Sequence, residues 1–294
     1  MSSSAESVEF PEFGVLGVGA WGPGFSDWQQ LCQLMALGVD PSEPTNPVQR
    51  AIPKPAIIPA NERRRAPLPA RIAVEASAQA LRASQLEATE LPCVFGSGLG
   101  DTDITDYLCR ALNTEAKQLS PTKFHNSVHN AAAGYWTIST GCMKSANAIA
   151  AFGDTAGLCL LEALTLCQFN EEPVLLTVYD TRASEVYRDI FPCSEDFAAS
   201  LVICPRKMHA SSQLAVLRPG ALGAVTGQHG SGESGLTPQL RTLAATNPAA
   251  QLLHLLTAID YCQTQRRPVA AELSVAPSLG LTITASAVTA LSKE

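Results

Sequence analysis

A layered α/β fold with a mixed or parallel sheet is what this sequence predicts, and three observations predict it. Apolar segments of strand length alternate with longer segments of helical periodicity along most of the chain. Strand ends close in glycine clusters, at Gly17, Gly19 and Gly22 and again at Gly96, Gly98 and Gly100, where the chain must turn sharply into the next element. Finally, 46% of the 294 residues are hydrophobic and 16% charged, enough to bury one large core or two fused smaller ones.

Taken in order, residues 8–18 read as a strand that ends in the first glycine cluster. A helix over 26–37 follows, with Ser26 as N-cap and Asp27 in its first turn. Prolines recur through 38–59, which marks an extended surface connection. Residues 67–84 form an Ala-rich helix opened by Pro67 and Pro69. A buried strand over 92–98 closes in the second glycine cluster, and 103–112 is another helix. A longer helical region over 120–141 leads into residues 146–152, read as a buried strand. That strand breaks at Gly153-Asp154 and continues into an apolar helix over 155–166. Strands follow at 173–179 and 198–204. The last third holds a strand at 213–217 and a Gly- and Ser-rich stretch at 223–235, read as a mobile loop. One helix over 248–265 carries Leu252, Leu253, Leu255, Leu256 and Ile259 on its apolar side, and two strands, 269–275 and 280–285, close the chain. Residues 1–205 therefore read as a complete N-terminal half. Residues 206–294 read as a shortened second α/β layer packed on the first, a half-complete fold that a partner would have to cover.

The bulk properties exclude several function classes. A net charge of −7 with no basic stripe argues against nucleic acid, and Arg63-Arg64-Arg65 is a short solvated run. Nine cysteines, an odd number without CxxC spacing, lie mostly in apolar stretches, as free thiols do in a reducing compartment. The polar, acidic opening does not read as a signal peptide, and no apolar run is long enough for a bilayer. A cytoplasmic protein without membrane contact is expected. His125 and His129 are spaced to share one helix face, a spacing that zinc-protease helices use. The accompanying Glu is missing, with Asn126 and Ser127 between them. No metal and no cofactor is expected.

The feature most telling for function is a missing atom. A strand, a sharp turn and a helix together lift a nucleophile out of a sheet and aim backbone N–H groups at an incoming acyl group. At this turn stands Gly153, with nothing to attack with, followed by Asp154. A carboxylate there would repel a developing carbanion; its expected role is to cap the following helix, where negative charge is favoured.

Five segments in order resemble the N-terminal half of β-ketoacyl synthases of the thiolase fold. They are the run from Val15 to Pro23, Asn61 to Arg65 before a helix, the glycine-rich strand end from Gly96 to Gly100, the Asn-x-x-Ala-Gly helix from Asn130 to Gly134, and the stretch from Gly141 to Gly157. The resemblance implies a thiolase-like layered fold. Counting from Gly141 puts the family's nucleophilic cysteine at Gly153. The family's two catalytic histidines come from its C-terminal half, and neither His254, in an apolar helix, nor His229, in the Gly-rich stretch, matches their motifs. The run from Phe124 to Trp136 is similar to a hallmark of the short chain-length-factor proteins of aryl polyene biosynthesis clusters, which act as inactive partners of an active synthase. That resemblance implies a heterodimer with a β-ketoacyl synthase, formed by edge strands laid against each other. An acyl-carrier protein would engage mainly through the partner. It also implies tunnel or interface positions for Phe124, His125, Val128, His129, Phe152 and Asp154. Two other readings stay open: a module that binds an acyl chain or acyl-carrier protein without a synthase partner, and an acyl-transfer enzyme using Cys142, Ser97 or Cys193 with a base in hydrogen-bond reach.

Overall fold

The computed structural model describes residues 11–36, 52–224 and 236–288. Eight strands are joined in the order β3-β2-β4-β5-β1-β6-β8-β7. These are β1 (Phe13–Trp21), β2 (Cys93–Gly96), β3 (Ala146–Ile149), β4 (Val174–Asp180), β5 (Phe197–Pro205), β6 (Ala215–Ala224), β7 (Val269–Ala276) and β8 (Leu279–Ala287). β2 runs parallel to both β3 and β4, whereas the β4–β5, β5–β1 and β1–β6 pairings are antiparallel. The sheet is mixed, and the predicted alternation of strands and helices holds along it.

Two helices set the layering. α3 (Leu68–Ser84) lies on β1, where a Cβ on Gly19 would stand 2.0 Å from the carbonyl oxygen of Ala76. Glycine on the strand is what lets the helix backbone come this close. On the other face α7 (Thr155–Asn170) is buried from both sides: Cys159 presses on Gly96 of β2, and Gly157 touches the backbone of Ser274 on β7. α7 and α9 (Leu253–Gln265) share one apolar cluster with β1, β4 and β5 on one side and with β7 and β8 on the other. They form a helical layer between the N-terminal strands and the C-terminal ones. Burying apolar residues from two directions in this way supplies most of the drive to fold.

The C-terminal layer closes differently from the sequence expectation. Register places Val269 opposite Ala285, Ala271 opposite Ile283 and Leu273 opposite Leu281 on the buried face of β7 and β8. On the other face it pairs Ala270 with Thr284 and Glu272 with Thr282. With a side-chain period of two, the outward face of β7 and β8 therefore carries small and polar residues. Among the described residues, the outward face of β7 and β8 offers no continuous apolar surface.

Several element boundaries also shift. α1 (Trp28–Ala36) is capped by Asp27, whose Oδ1 accepts the backbone N–H of Gln30 at 2.9 Å, rather than by Ser26. α4 (Thr102–Leu112) starts close to where it was expected, with Asp101 as N-cap at 2.9 Å from the Ile104 nitrogen, whereas the short α2 (Ala60–Arg63) was not anticipated. The region 120–141 is two helices, α5 (Pro121–His125) and α6 (Ala131–Thr140), separated by turns. α8 (Pro238–Thr246), capped by Thr237, was not anticipated, and Ala249–Leu252 is a 3-10 turn before α9. The stretch read as a mobile loop lies outside the described residues except for Gly223 and Ala224, which belong to β6.

Candidate functional site

β3 is shorter and more open than predicted. It pairs with β2 alone, and its four residues alternate between exposed and half-buried because it forms the edge of the sheet. Asn147 on this strand donates to Glu162 of α7 at 2.7 Å. The chain then turns through a 3-10 segment, Phe152–Asp154, into α7. The residue that takes the left-handed conformation there is Phe152, with φ +50°, and not Gly153. A bulky side chain at positive φ is strained, and such strain concentrates at functional turns.

The turn is bolted at every residue. The Thr155 hydroxyl accepts the Ala151 N–H at 3.0 Å and donates to the Phe152 carbonyl at 2.8 Å, while the Gln251 side-chain amide donates to the Gly153 carbonyl at 2.8 Å. The Ser274 hydroxyl of β7 donates to Asp154 Oδ1. Asp154 makes no side-chain cap to α7, so the expected capping role is replaced by an anchor to the neighbouring strand. The half-exposed Phe152 ring stacks edge-on against the buried Phe191 at 5.7 Å, and Phe191 in turn crowds Gly98, where a Cβ would stand 2.7 Å from its ring. The place from which a nucleophile would emerge holds an aromatic pair.

The alternative nucleophiles lie elsewhere, and all are enclosed. Cys159, the nearest thiol in sequence, is buried against Gly96, and burial pushes its pKa up to about 12. Cys142 is buried and directs its Sγ to the Leu91 carbonyl at 3.4 Å. Cys193 is buried too, and burial raises its pKa further. Ser97 does have a carboxylate in reach, since its hydroxyl donates to Asp180 Oδ1 at 2.8 Å, but Ser97 is fully buried and its oxygen also accepts the Gly100 N–H at 2.9 Å. Asp180, at the end of β4, further accepts the backbone N–H of Gly98 at 2.8 Å and that of Ala249 at 3.1 Å. Burial raises this carboxyl to about 7, against the pull of those donors. Sequence reasoning missed Asp180. The signal was an acid closing an otherwise apolar strand, Val174 to Tyr179.

The six residues assigned to the tunnel or interface do not form one cluster. Phe124, His125 and Val128 line a groove of about 590 Å³ with Tyr135 and Ile138 of α6. His129 leaves them. The helix ends at His125, so the two histidines do not share a helix face, and His129 Nε2 instead lies 2.9 Å from the Ser97 carbonyl oxygen. Phe152 belongs to the aromatic pair and Asp154 to the Ser274 contact. The groove wall is fixed by Asn126, which donates to the Arg65 carbonyl at 2.9 Å and accepts the Tyr135 hydroxyl at 3.1 Å. Around it the surface is apolar: Phe124 is 61% exposed, Val128 54%, Ile138 80% and Met143, ahead of β3, 93%. Exposure of this kind marks an interaction face. Among the described residues no group of three or more His, Cys, Asp or Glu could hold a metal ion, and no helix is long and apolar enough to cross a membrane.

The family model for the β-ketoacyl synthase N-terminal domain matches residues 36–257. No curated protein matches the chain. Among solved structures, it is similar to a chain from the ketosynthase (ApeO) in complex with its chain length factor (ApeC) from Xenorhabdus doucetiae. The TM-score is 0.66 at 18% identity, covering 92% of this chain and 98% of that one. The ishigamide ketosynthase/chain length factor gives a TM-score of 0.69 at 12% identity, over 94% of this chain and 99% of that one. A type II polyketide synthase acyl-carrier protein in complex with its ketosynthase gives 0.74 at 13% identity, over 95% and 100%. At these identities the likeness is one of fold, and it extends over nearly the whole of each chain. With the family model covering well over half of its length, the chain belongs to the β-ketoacyl synthase N-terminal domain family and is built on the thiolase fold.

Proposed function

We propose that this chain is a non-catalytic subunit of the chain-length-factor type, which pairs with an active β-ketoacyl synthase and shapes the acyl tunnel of the pair in polyene biosynthesis of the aryl polyene kind. The observation that carries the reading is the turn after β3, where Phe152, Gly153 and Asp154 stand in place of a nucleophile. A Claisen condensation needs a thiolate to hold the acyl chain and donors to stabilise the enolate and oxyanion. Cys142, Cys159 and Cys193 are buried, burial pushes the Cys159 thiol up to about 12, and the family's catalytic histidines have no matching motif in the sequence.

The second support is the edge strand β3 together with the exposed apolar side chains Phe124, Val128, Ile138 and Met143. Edge strands are templates for pairing with another chain. The synthase would lie against β3, with the groove at Phe124 continuing its tunnel, and an acyl-carrier protein would dock mainly on the synthase. Co-expression with a synthase encoded beside this chain, followed by sizing of the purified material, tests the reading. A one-to-one complex that condenses acyl groups through the partner's cysteine is expected. A monomer that ignores every synthase offered overturns it.

A further inference from the structure

The parallel strands β2 and β4 lie side by side, and the segments that leave their ends enclose another cavity, of about 600 Å³. Its walls are the start of α3, the first turn of α4, Thr122 and Lys123 of α5, and residues 181–185 and Arg188 after β4. In layered α/β folds the crevice beyond the carboxyl ends of parallel strands is where ligands are held. Neither the turn after β3 nor any residue of α6 lines this cavity, so it is separate from both features described above.

Two observations mark it as built for an occupant. Ser184 is 8% exposed, its N–H is fixed on Thr102 Oγ1 at 2.9 Å, and its hydroxyl finds no partner. A buried hydroxyl without a hydrogen bond costs stability, and an occupant of the cavity that Ser184 lines would satisfy it. The second observation is charge. Arg65, Lys123, Arg182 and Arg188 line the cavity. So do Asp101, Asp103, Glu185 and Asp196. Among the described residues no two of these form an ion pair within 4.0 Å, and Arg65 pairs instead with Glu62, outside the lining, at 3.7 Å. Backbone groups occupy two of the acids: Asp101 accepts the Ile104 N–H at 2.9 Å and Asp196 the Arg182 N–H at 2.8 Å. Equal numbers of opposite charges cancel, so a lone anion or a lone cation gains no net field here. A molecule that carries both signs gains from both sets, and Leu68 and Ile104 add an apolar stretch of wall.

We infer that this cavity binds a small zwitterion of the amino-acid kind with an apolar side chain. Its carboxylate lies toward Arg182, Arg188 and the Ser184 hydroxyl, its ammonium toward the acids at the start of α4, and its side chain against Leu68 and Ile104. The site belongs to this chain alone and does not depend on the proposed pairing. Calorimetry with L-leucine and L-phenylalanine tests it, on the purified chain or, where only the complex with a synthase is soluble, on that complex against the synthase alone. At least one of the two is expected to bind, and both its N-acetyl derivative and its amide, each lacking one charge, to bind about tenfold or more weaker. Ser184→Ala is expected to weaken binding about three- to tenfold while leaving the unliganded fold no less stable, because the hydroxyl serves nothing within the chain. The exposed pair Arg182→Ala with Arg188→Ala is expected to weaken it about tenfold or more with thermal unfolding unchanged. No binding of either amino acid up to about 10 mM overturns the inference. So does an N-acetyl derivative or inorganic phosphate that binds as well as the amino acid, which makes the site one for anions. Binding that neither variant weakens places the amino acid elsewhere and overturns it too.

Discussion

The two helical glycines, Gly134 in α6 and Gly157 in α7, make a paired test of how far backbone approach, rather than helix propensity, controls this fold. Propensity alone gives the same sign for both, since alanine in place of an interior helical glycine stabilises by about 1 kcal/mol. At Gly134 nothing opposes that gain, because the added methyl meets open space. At Gly157 the Cβ would stand 2.1 Å from the Ser274 carbonyl oxygen, 2.9 Å from its carbon and 3.0 Å from a Val275 methyl. Two of these atoms are backbone, so α7 and β7 must separate, and overpacking of this kind costs about 1–3 kcal/mol, here toward the upper end. Net of propensity, Gly157→Ala is expected to destabilise by about 2 kcal/mol. For a chain of this length 1 kcal/mol corresponds to roughly 1.5 °C in Tm. Thermal unfolding at a fixed scan rate should therefore raise Tm by roughly 1–2 °C for Gly134→Ala and lower it by about 3 °C or more for Gly157→Ala. Shifts of the same sign would refute the claim that α7 is clamped between β2 and β7.

Two further outcomes follow from the turn and from the buried acid. Installing a thiol at either candidate position, as Gly153→Cys or Phe152→Cys, should give no condensation by the chain alone, because no histidine of the sequence matches the family's catalytic motifs; product formation from acyl- and malonyl-carrier protein above the no-enzyme rate would sink the proposed non-catalytic role. Asp180 titrates higher in the fold than in the unfolded chain, so its neutral form is the one the fold prefers. Its contribution is then complete below the usual aspartate value of 3.8 and is lost as pH rises to about 7. The slope from this one group is at most about 1.4 kcal/mol per pH unit. Urea midpoints should fall between pH 5 and pH 8, and Asp180→Asn should be less stable throughout, with a shallower pH dependence; a parent and a variant with parallel profiles would show that Asp180 is not the titrating group.

Much of the fold could be read from the chain because its signals were local. Short continuous apolar runs located β4 and β5 to within a residue, and Pro67 with Pro69 marked the start of α3. Errors came where tertiary placement decides. Ala146 to Ile149 has the composition of a buried strand, yet small residues are equally at home on a sheet edge, and order in the sheet cannot be counted from sequence. The break at Asn126 was hidden because the turn between α5 and α6 carries neither proline nor glycine. That one break sends His129 to the Ser97 carbonyl and leaves His125 in the groove. Counting located the sharp turn between β3 and α7, but not that its left-handed residue is Phe152, in a turn that Thr155, Gln251 and Ser274 hold from three separate elements.

The shortness of β3 bears on how a partner would be chosen. A four-residue edge strand turns only half of its backbone groups outward, enough for a handful of ladder bonds. At about 0.5–1.5 kcal/mol net for each bond, such a ladder falls short of the roughly 8 kcal/mol of micromolar affinity, before any loss of translational freedom is counted. Backbone pairing could therefore set register and orientation but not hold two chains together. The adhesion would have to come from the side chains around the strand, and those, unlike a backbone ladder, can tell one sheet edge from another.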